Sequence, residues 1–121
     1  MKTIVLTVDD SRTIRNMLLV TLNNAGFDTV QAEDGMEGLE VLEESNPDVI
    51  VTDINMPRLD GFGFIEGVRQ NERYRSVPIL VLTTESDDEK KNRARQAGAT
   101  GWIVKPFDPT KLVSAIERVT A

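Results

Sequence analysis

The sequence contains the stretch IVLTVDDS at residues 4–11. Residues 4–8 form an unbroken, largely β-branched run without the alternation of polar and apolar residues that marks a half-exposed strand. Such runs are typical of parallel strands that are buried on both faces of a sheet. Ser11 is a favourable N-cap residue, and apolar residues recur behind it at helical spacing. The stretch therefore predicts a buried strand, a short acidic loop and a helix.

The same order of strand and helix recurs along the whole chain. Further runs of strand length occupy residues 29–32, 49–52, 79–82 and 102–104. The helices between them are predicted to end at Gly26, before Pro47 and at Gly98, and later helices to begin at Asp60, Asp87 and Asp108. In the first two helices, the residues predicted to face the core are Ile14, Met17, Leu18, Thr21, Leu22, Ala25, Met36, Leu39 and Leu42. This alternation predicts a single α/β domain over residues 1–121, with a doubly wound, five-stranded parallel sheet, right-handed crossovers and helices on both faces.

The composition excludes several classes of chemistry. The chain has no cysteine and no histidine, so it has no Ser-His-Asp mechanism, no zinc–thiolate site and no phosphohistidine of its own. A net charge of -6 argues against binding nucleic acid. The run at residues 4–8 is too short for a signal peptide, and no stretch approaches the length of a membrane span. We therefore expect a cytoplasmic, monomeric protein without nucleic-acid or membrane partners.

Polar side chains follow four of the predicted strands at the point where each strand ends. Asp9 and Asp10 follow the first strand, Asp53 the third, Thr83 the fourth and Lys105 the fifth. Because ligands of doubly wound sheets bind beyond the carboxyl ends of the strands, we expect these side chains to converge. Crowded carboxylates require a cation, and an oxygen-rich site suits Mg²⁺. A carboxylate nucleophile beside a metal ion, a hydroxyl and a lysine is the set of groups that phosphoryl transfer requires.

Four motifs resemble those of the receiver domains of two-component response regulators. They are VDDS at residues 8–11, VTDINMP at 51–57 followed by DG at 60–61, LTT at 82–84, and VKPF at 104–107. The motifs stand in the family's order and at its spacing, and the resemblance covers essentially the whole chain. It extends to the single-domain chemotaxis regulators of the CheY type. It implies a flavodoxin-like (CheY-like) fold with strand order 2-1-3-4-5.

The resemblance also implies a role for each matching residue of the acidic site. Asp53 would accept a phosphoryl group from a phosphohistidine on a partner kinase. Asp10 would bind Mg²⁺ directly, Asp9 would bind it through water, and Asn55 would contribute its backbone carbonyl beside Asp53. Lys105 would bind a phosphoryl oxygen.

Two residues resemble the switch of the family. Thr83 would move to bond a second phosphoryl oxygen. Trp102 occupies the aromatic switch position, where the family usually has tyrosine or phenylalanine. Either its ring swings inward and remodels the face formed by the fourth helix, fifth strand and fifth helix, or it stays a packed aromatic with its N–H at the surface.

Three residues are predicted to tune the loss of the phosphoryl group. Asn55 and Glu85 resemble the pair found in regulators that lose phosphate quickly, because polar groups there help to orient an attacking water. Thr84 stands where a smaller residue is common, and its side chain would narrow access to the phosphoryl group.

The sequence leaves several functions open. The first is a phosphorylation-controlled binding module that receives its phosphoryl group from a CheA-like chemotaxis histidine kinase and binds a FliM-like flagellar motor switch protein. The second is a phosphate sink or relay for a shared kinase. A Mg²⁺-dependent aspartyl-phosphate phosphatase is disfavoured because Asn55 stands where such enzymes carry a second aspartate, and FMN binding is disfavoured because Asp9 and Asp10 replace a phosphate-binding loop. We expect no enzymatic activity beyond the chain's own phosphorylation and dephosphorylation.

Overall fold

The structure, a computed structural model, describes residues 2–121 as alternating strands and helices. The strands are β1 Ile4–Val8, β2 Asp28–Ala32, β3 Val49–Thr52, β4 Ile79–Thr83 and β5 Gly101–Val104. The helices are α1 Arg12–Asn24, α2 Gly35–Ser45, α3 Gly61–Gln70, α4 Asp88–Ala97 and α5 Pro109–Thr120, with a short 3₁₀ helix at Glu72–Tyr74. Within this part of the chain, no helix has the length and apolar character needed to cross a membrane.

All five strands form one parallel sheet in the order β2-β1-β3-β4-β5, as predicted. Strand β1 pairs with both β2 and β3, and its last residue, Val8, lies opposite Ala32 and Thr52. Asp9 and Asp53, which follow Val8 and Thr52, therefore leave neighbouring strands at the same level. The register of the sheet thus brings the two acidic segments together.

The sheet is covered on both faces because its central strands are apolar on both sides. Helices α1 and α5 cover one face, where Leu18, Leu22, Leu112 and Ile116 pack on the side chains of β1, β3 and β4. Helices α2, α3 and α4 cover the other face, where the 0% exposed Phe64 is among the largest buried side chains. With both faces covered by apolar contacts, a polar site can form at the carboxyl edge of the sheet, where the strands end.

The predicted helix starts are confirmed by their caps. Ser11 Oγ accepts the backbone N–H of Ile14 at 3.3 Å, and Asp60 Oδ1 accepts that of Gly63 at 2.9 Å. Asp87 and Asp108 cap α4 and α5 in the same way. Strand β4 extends one residue beyond the predicted end, to Thr83, because that residue still pairs with Val104.

Three residues that were predicted to face the core are instead exposed: Met17, Met36 and Ala25, which caps the C-terminus of α1. Met17 is 47% exposed and Met36 is 44% exposed. Helix α2 turns Gly38 toward the ring of Phe64, and Met36 lies about 200° around the helix from Gly38. Met17 precedes the buried Leu18 by one residue, so it lies about 100° away from the stripe that packs on the sheet.

Candidate functional site

The predicted convergence of charged groups occurs at the carboxyl edge of the sheet. The ammonium Nζ of Lys105, just after β5, lies 2.8 Å from Asp9 Oδ2 and 2.8 Å from Asp53 Oδ2. The three side chains are 10%, 2% and 10% exposed, respectively. One cation therefore links the ends of β1, β3 and β5 in a partly enclosed crevice.

The second oxygen of each carboxylate is held by the backbone of its own loop. Asp9 Oδ1 accepts the N–H of Ser11 at 2.9 Å, and Asp53 Oδ1 accepts the N–H of Ile54 at 2.6 Å. Both side chains are thus oriented by hydrogen bonds on two sides.

The third carboxylate of the site, Asp10, is exposed. One carboxylate oxygen from each of Asp9, Asp10 and Asp53 lies within 4.8 Å of the other two. Three carboxylates at this spacing are hard oxygen donors and suit a small divalent cation such as Mg²⁺ better than a soft one. The donor set therefore fits the metal that the sequence predicts.

Burial and ion pairing act against each other in this cluster. Burial raises the pKa of Asp9, although the hydrogen bond from Lys105 opposes the rise. Burial also disfavours the charge on Lys105, but its hydrogen bonds to Asp53 and Asp9 outweigh that effect and raise the pKa of Lys105. The ammonium group therefore stays charged and compensates part of the negative charge in the crevice.

A second polar cluster is centred on Glu85, in the loop after β4. Its carboxylate oxygen Oε1 accepts the Asn55 amide at 3.1 Å and pairs with the Lys90 ammonium at 3.0 Å. These contacts with Asn55 and Lys90 hold the pKa of Glu85 below its usual value. The predicted pair of Asn55 and Glu85 is therefore in direct contact, whereas Thr84 is exposed beside them.

The two predicted switch residues are linked through the backbone of Glu85. The hydroxyl of the fully buried Thr83 accepts the Glu85 N–H at 3.3 Å. The indole N–H of Trp102 donates to the Glu85 carbonyl at 3.0 Å, so it is bonded to the loop after β4. The ring packs against the core beneath α2, α3 and α4. Thr83 and Trp102 thus bind the backbone N–H and the backbone carbonyl of the same residue.

The loop between β3 and α3 is fixed at both of its ends. The Gly61 N–H donates to the Ile54 carbonyl at 2.8 Å, and a methyl group on Gly61 would collide with the carbonyl oxygen of Asp53. Arg58, with a left-handed φ of 65°, forms a bidentate pair with Asp34 at 2.9 and 3.1 Å. The backbone that carries Asp53 is therefore anchored to α3 and to the loop before α2.

Sequence reasoning missed three residues that shape the site. Arg15 donates to the Asp9 carbonyl at 2.8 Å, Arg58 binds Asp34, and Lys90 binds Glu85. Arg15 carried a signal that could have been used, because a cation near the start of a helix is unfavourable unless it has a partner. Arg58 and Lys90 carried no such signal. The partner of Arg58, Asp34, is distant in sequence, and the partner of Lys90, Glu85, lies in the loop before α4.

Comparison with known proteins identifies the class to which this fold and site belong. Residues 5–117 match the response regulator receiver domain family, and the chain belongs to that family. It is CheY-like, a receiver of a two-component response regulator. The predictions of family and fold are therefore confirmed.

Individual relatives include chemotaxis proteins and other receivers. The chain is 38% identical to the chemotaxis protein CheY of Pseudomonas aeruginosa over 95% of this chain and 94% of that protein. The structure of the chemotaxis protein CheY4 of Vibrio cholerae superposes with a TM-score of 0.94 at 45% identity, covering 98% of this chain and 99% of that one. The receiver domain of a Pseudomonas aeruginosa sensor histidine kinase, with a magnesium ion in its active-site cleft, superposes with a TM-score of 0.92 at 26% identity, covering 99% and 98% of the two chains.

Proposed function

We propose that this receiver accepts a phosphoryl group on Asp53 from the phosphohistidine of a histidine kinase and thereby changes its affinity for a target protein. The observation that carries the proposal is the position of Lys105, whose Nζ lies 2.8 Å from both Asp53 and Asp9. An ammonium group at that place lies next to the nucleophile and can form a new hydrogen bond to an oxygen of the incoming phosphoryl group. Positioning and charge neutralisation of this kind account for most of the catalysis of phosphoryl transfer.

The transfer step follows from the orientation of Asp53. One carboxylate oxygen attacks the phosphorus, the bond between phosphorus and the imidazole nitrogen breaks, and the nitrogen keeps the electron pair. The product is an acyl phosphate on Asp53. Lys105 then exchanges its contact with the Asp53 carboxylate for one with a phosphoryl oxygen, while Asp9 retains its own contact with the ammonium group.

The same site is proposed to bind Mg²⁺ through Asp9, Asp10, Asp53 and the backbone carbonyl of Asn55. When bound, the ion would neutralise charge on the phosphoryl oxygens. The support is the set of three carboxylate oxygens within 4.8 Å of one another. Lys105 supplies a single positive charge for three carboxylates, so the cluster retains an excess of negative charge that attracts a cation.

Phosphorylation is proposed to act on the target-binding face through Thr83 and Trp102. If the Thr83 hydroxyl turns to a phosphoryl oxygen, it releases the N–H of Glu85, to which it is bonded at 3.3 Å. The same residue, Glu85, also contributes the carbonyl that binds the Trp102 indole, in the next peptide unit. The face formed by α4, β5 and α5 would therefore respond to charge at Asp53 through one shared segment.

Loss of the phosphoryl group is proposed to depend on the hydrogen-bonded side chains of Asn55 and Glu85. Support comes from their contact at 3.1 Å, which pairs an amide and a carboxylate two residues beyond Asp53 and Thr83, respectively, and such groups can orient a water molecule. Thr84 is proposed to narrow this approach. The chain would catalyse its own phosphorylation and dephosphorylation and act on no other substrate.

The proposed kinase is a chemotaxis histidine kinase, and the proposed target is the flagellar motor switch protein. This assignment rests on the relatives, which are named as chemotaxis proteins. A phosphate sink or relay that drains a shared kinase uses the same chemistry on Asp53 but needs no target. The two roles differ in whether the phosphorylated chain binds the motor switch protein.

Intact mass spectrometry after incubation with acetyl phosphate and Mg²⁺ tests the chemistry. We expect one labile phosphoryl adduct on the native chain, none on Asp53→Asn, and an unchanged adduct on Asp28→Asn, which alters an exposed aspartate at the opposite end of the sheet. An adduct on Asp53→Asn, or none on the native chain, would contradict the assignment. Binding of the phosphorylated chain to the purified motor switch protein then separates the effector from the sink.

A further inference from the structure

Arg15 is an unusually enclosed cation for its position in α1. It lies about one turn after Arg12, near the N-terminal end of α1, where the helix dipole disfavours positive charge. Its side chain is nevertheless only 13% exposed. A guanidinium group that is withdrawn from water in this way needs specific partners.

The partners of Arg15 come from three segments that surround the acidic crevice. Its Nη1 donates to the backbone carbonyl of Asp9 at 2.8 Å, and its Nη2 lies 3.7 Å from a carboxylate oxygen of Glu33. Its own backbone carbonyl accepts the side-chain amide of Gln31 at 2.9 Å. Arg15 therefore joins the end of β1 to α1 and to the end of β2.

The contact with the Asp9 carbonyl bears directly on Asp10. That carbonyl belongs to the peptide unit between the two aspartates, and the peptide is planar. On the other side of Asp9, its N–H donates to the Ala32 carbonyl at 3.1 Å. Fixing this peptide fixes the position of the Asp10 Cα and so limits the directions in which the Asp10 side chain can leave the backbone. Because Asp10 is exposed, its orientation depends on the backbone.

We propose that Arg15 is a positioning residue that holds the Asp9–Asp10 peptide in the orientation required for cation binding. The inference rests on the proposed function, because it assumes that the three carboxylates bind Mg²⁺. Arg15 touches neither the cation nor the phosphoryl group. Its loss weakens Mg²⁺ binding by about tenfold, the scale typical for a residue that orients a metal ligand. The phosphorylation rate at saturating Mg²⁺ stays the same.

The sign of the effect distinguishes positioning from electrostatics. Removing a positive charge near an acidic site should by itself strengthen the binding of a divalent cation. Arg12 is an exposed arginine at the start of the same helix and provides the matched control. Arg12→Met is expected to leave Mg²⁺ affinity unchanged or slightly stronger, whereas Arg15→Met is expected to weaken it.

Calorimetric titration of Mg²⁺ into the native chain, Arg15→Met and Arg12→Met tests the proposal. The Mg²⁺ concentration for half-maximal phosphorylation by acetyl phosphate is measured in parallel and should rise about tenfold for Arg15→Met only. In metal-free protein, the amide resonance of Asp10 should shift in Arg15→Met and stay in place in Arg12→Met. A destabilised but otherwise intact fold would not produce this division between half-maximal concentration and maximal rate.

Arg15→Lys keeps the charge and decides the question if Arg15→Met does not fold. One ammonium group cannot replace the planar fork that reaches both Asp9 and Glu33, so an intermediate loss of about threefold is expected. Native affinity in Arg15→Met, or in Arg15→Lys if only that variant folds, would overturn the positioning role and leave the proposed function intact. A native chain that binds no Mg²⁺ would overturn both.

Discussion

Replacing Lys105 by methionine tests how far the folded state depends on the cation between two buried carboxylates. The Lys105 side chain is 10% exposed, and those of Asp9 and Asp53 are 2% and 10% exposed. Removing one member of a buried ion pair typically costs about 3–5 kcal/mol, since the remaining charge has no partner. Here two carboxylates are left, and burial already raises the pKa of Asp9, so proton uptake offsets part of the cost. We expect a loss of about 3 kcal/mol at pH 7.

The assay is urea denaturation in the presence of a chelator, followed by the fluorescence of the single tryptophan, Trp102. The expected loss corresponds to a melting temperature that is lower by about 10 °C for a domain of this size. Lys111→Met is the control, because Lys111 is an exposed lysine of α5. Saturating Mg²⁺ should restore part of the stability of Lys105→Met, since a divalent cation supplies the missing positive charge.

A double-mutant cycle with Asp53→Asn completes the test. Neutralising Asp53 in the Lys105→Met background should recover stability, so the two changes together should cost at least 1 kcal/mol less than their sum, as for groups in direct contact. Additive costs would refute the reasoning. A Lys105→Met variant as stable as the native chain would also refute it, because the two buried carboxylates would then not depend on the charge of Lys105.

Three further predictions address other parts of the molecule. The buried hydroxyl of Thr7 has no hydrogen-bond partner within residues 2–121, so Thr7→Val should raise the free energy of unfolding by about 1 kcal/mol. Thr52→Val, which removes a hydrogen-bonded hydroxyl, should lower the free energy of unfolding. Urea denaturation of both variants tests the comparison. The hydrogen bonds from Arg58 lower the pKa of Asp34 below its usual 3.8, so their stabilising effect is present above that pH and is lost as the pH falls through the folded-state pKa. Asp34→Asn, which keeps a capping side chain, should therefore be less stable than the native chain by about 1 kcal/mol at pH 7, and the difference should shrink as the pH is lowered below 4 in denaturation experiments. Trp102→Phe keeps an aromatic ring but removes the indole donor, so amides of residues 84–87 should exchange with solvent about fivefold faster, as hydrogen-exchange mass spectrometry would show; unchanged exchange would mean that the indole does not hold this loop.

The fold was largely predictable because each strand can be recognised from a short local run of apolar residues. A continuous apolar run such as Ile4–Val8 needs cover on both faces, and a parallel sheet between two helical layers provides it. The orientation of some helices was not predictable from spacing alone. Met36 satisfies a helical apolar pattern, yet α2 packs through Gly38, whose lack of a side chain allows the Phe64 ring to approach. A glycine carries no hydrophobic signal, so the pattern placed Leu39 and Leu42 correctly in the core but Met36 wrongly.

The site was predictable to the extent that it follows the strand ends. Asp9, Asp53 and Lys105 converge because a parallel sheet brings its carboxyl ends to one edge. Contacts that reach across loops were not predictable. Arg15 and Arg58 act through backbone carbonyls or distant carboxylates. The position of Arg15 near the start of a helix signals that it has a partner, but nothing in the sequence indicates which partner either arginine has.

The hydrogen bond from the Gly61 N–H to the Ile54 carbonyl closes residues 54–61 into a ring with a fixed number of residues. Surface loops usually accept insertions and deletions with little penalty. In this ring, one residue more or fewer would lift the first turn of α3 away from the backbone that carries Asp53. Homologous chains are therefore expected to vary the side chains of this segment while keeping its number of residues. Selection here acts on chain length, and a library of single-residue insertions would find this loop as intolerant as the core.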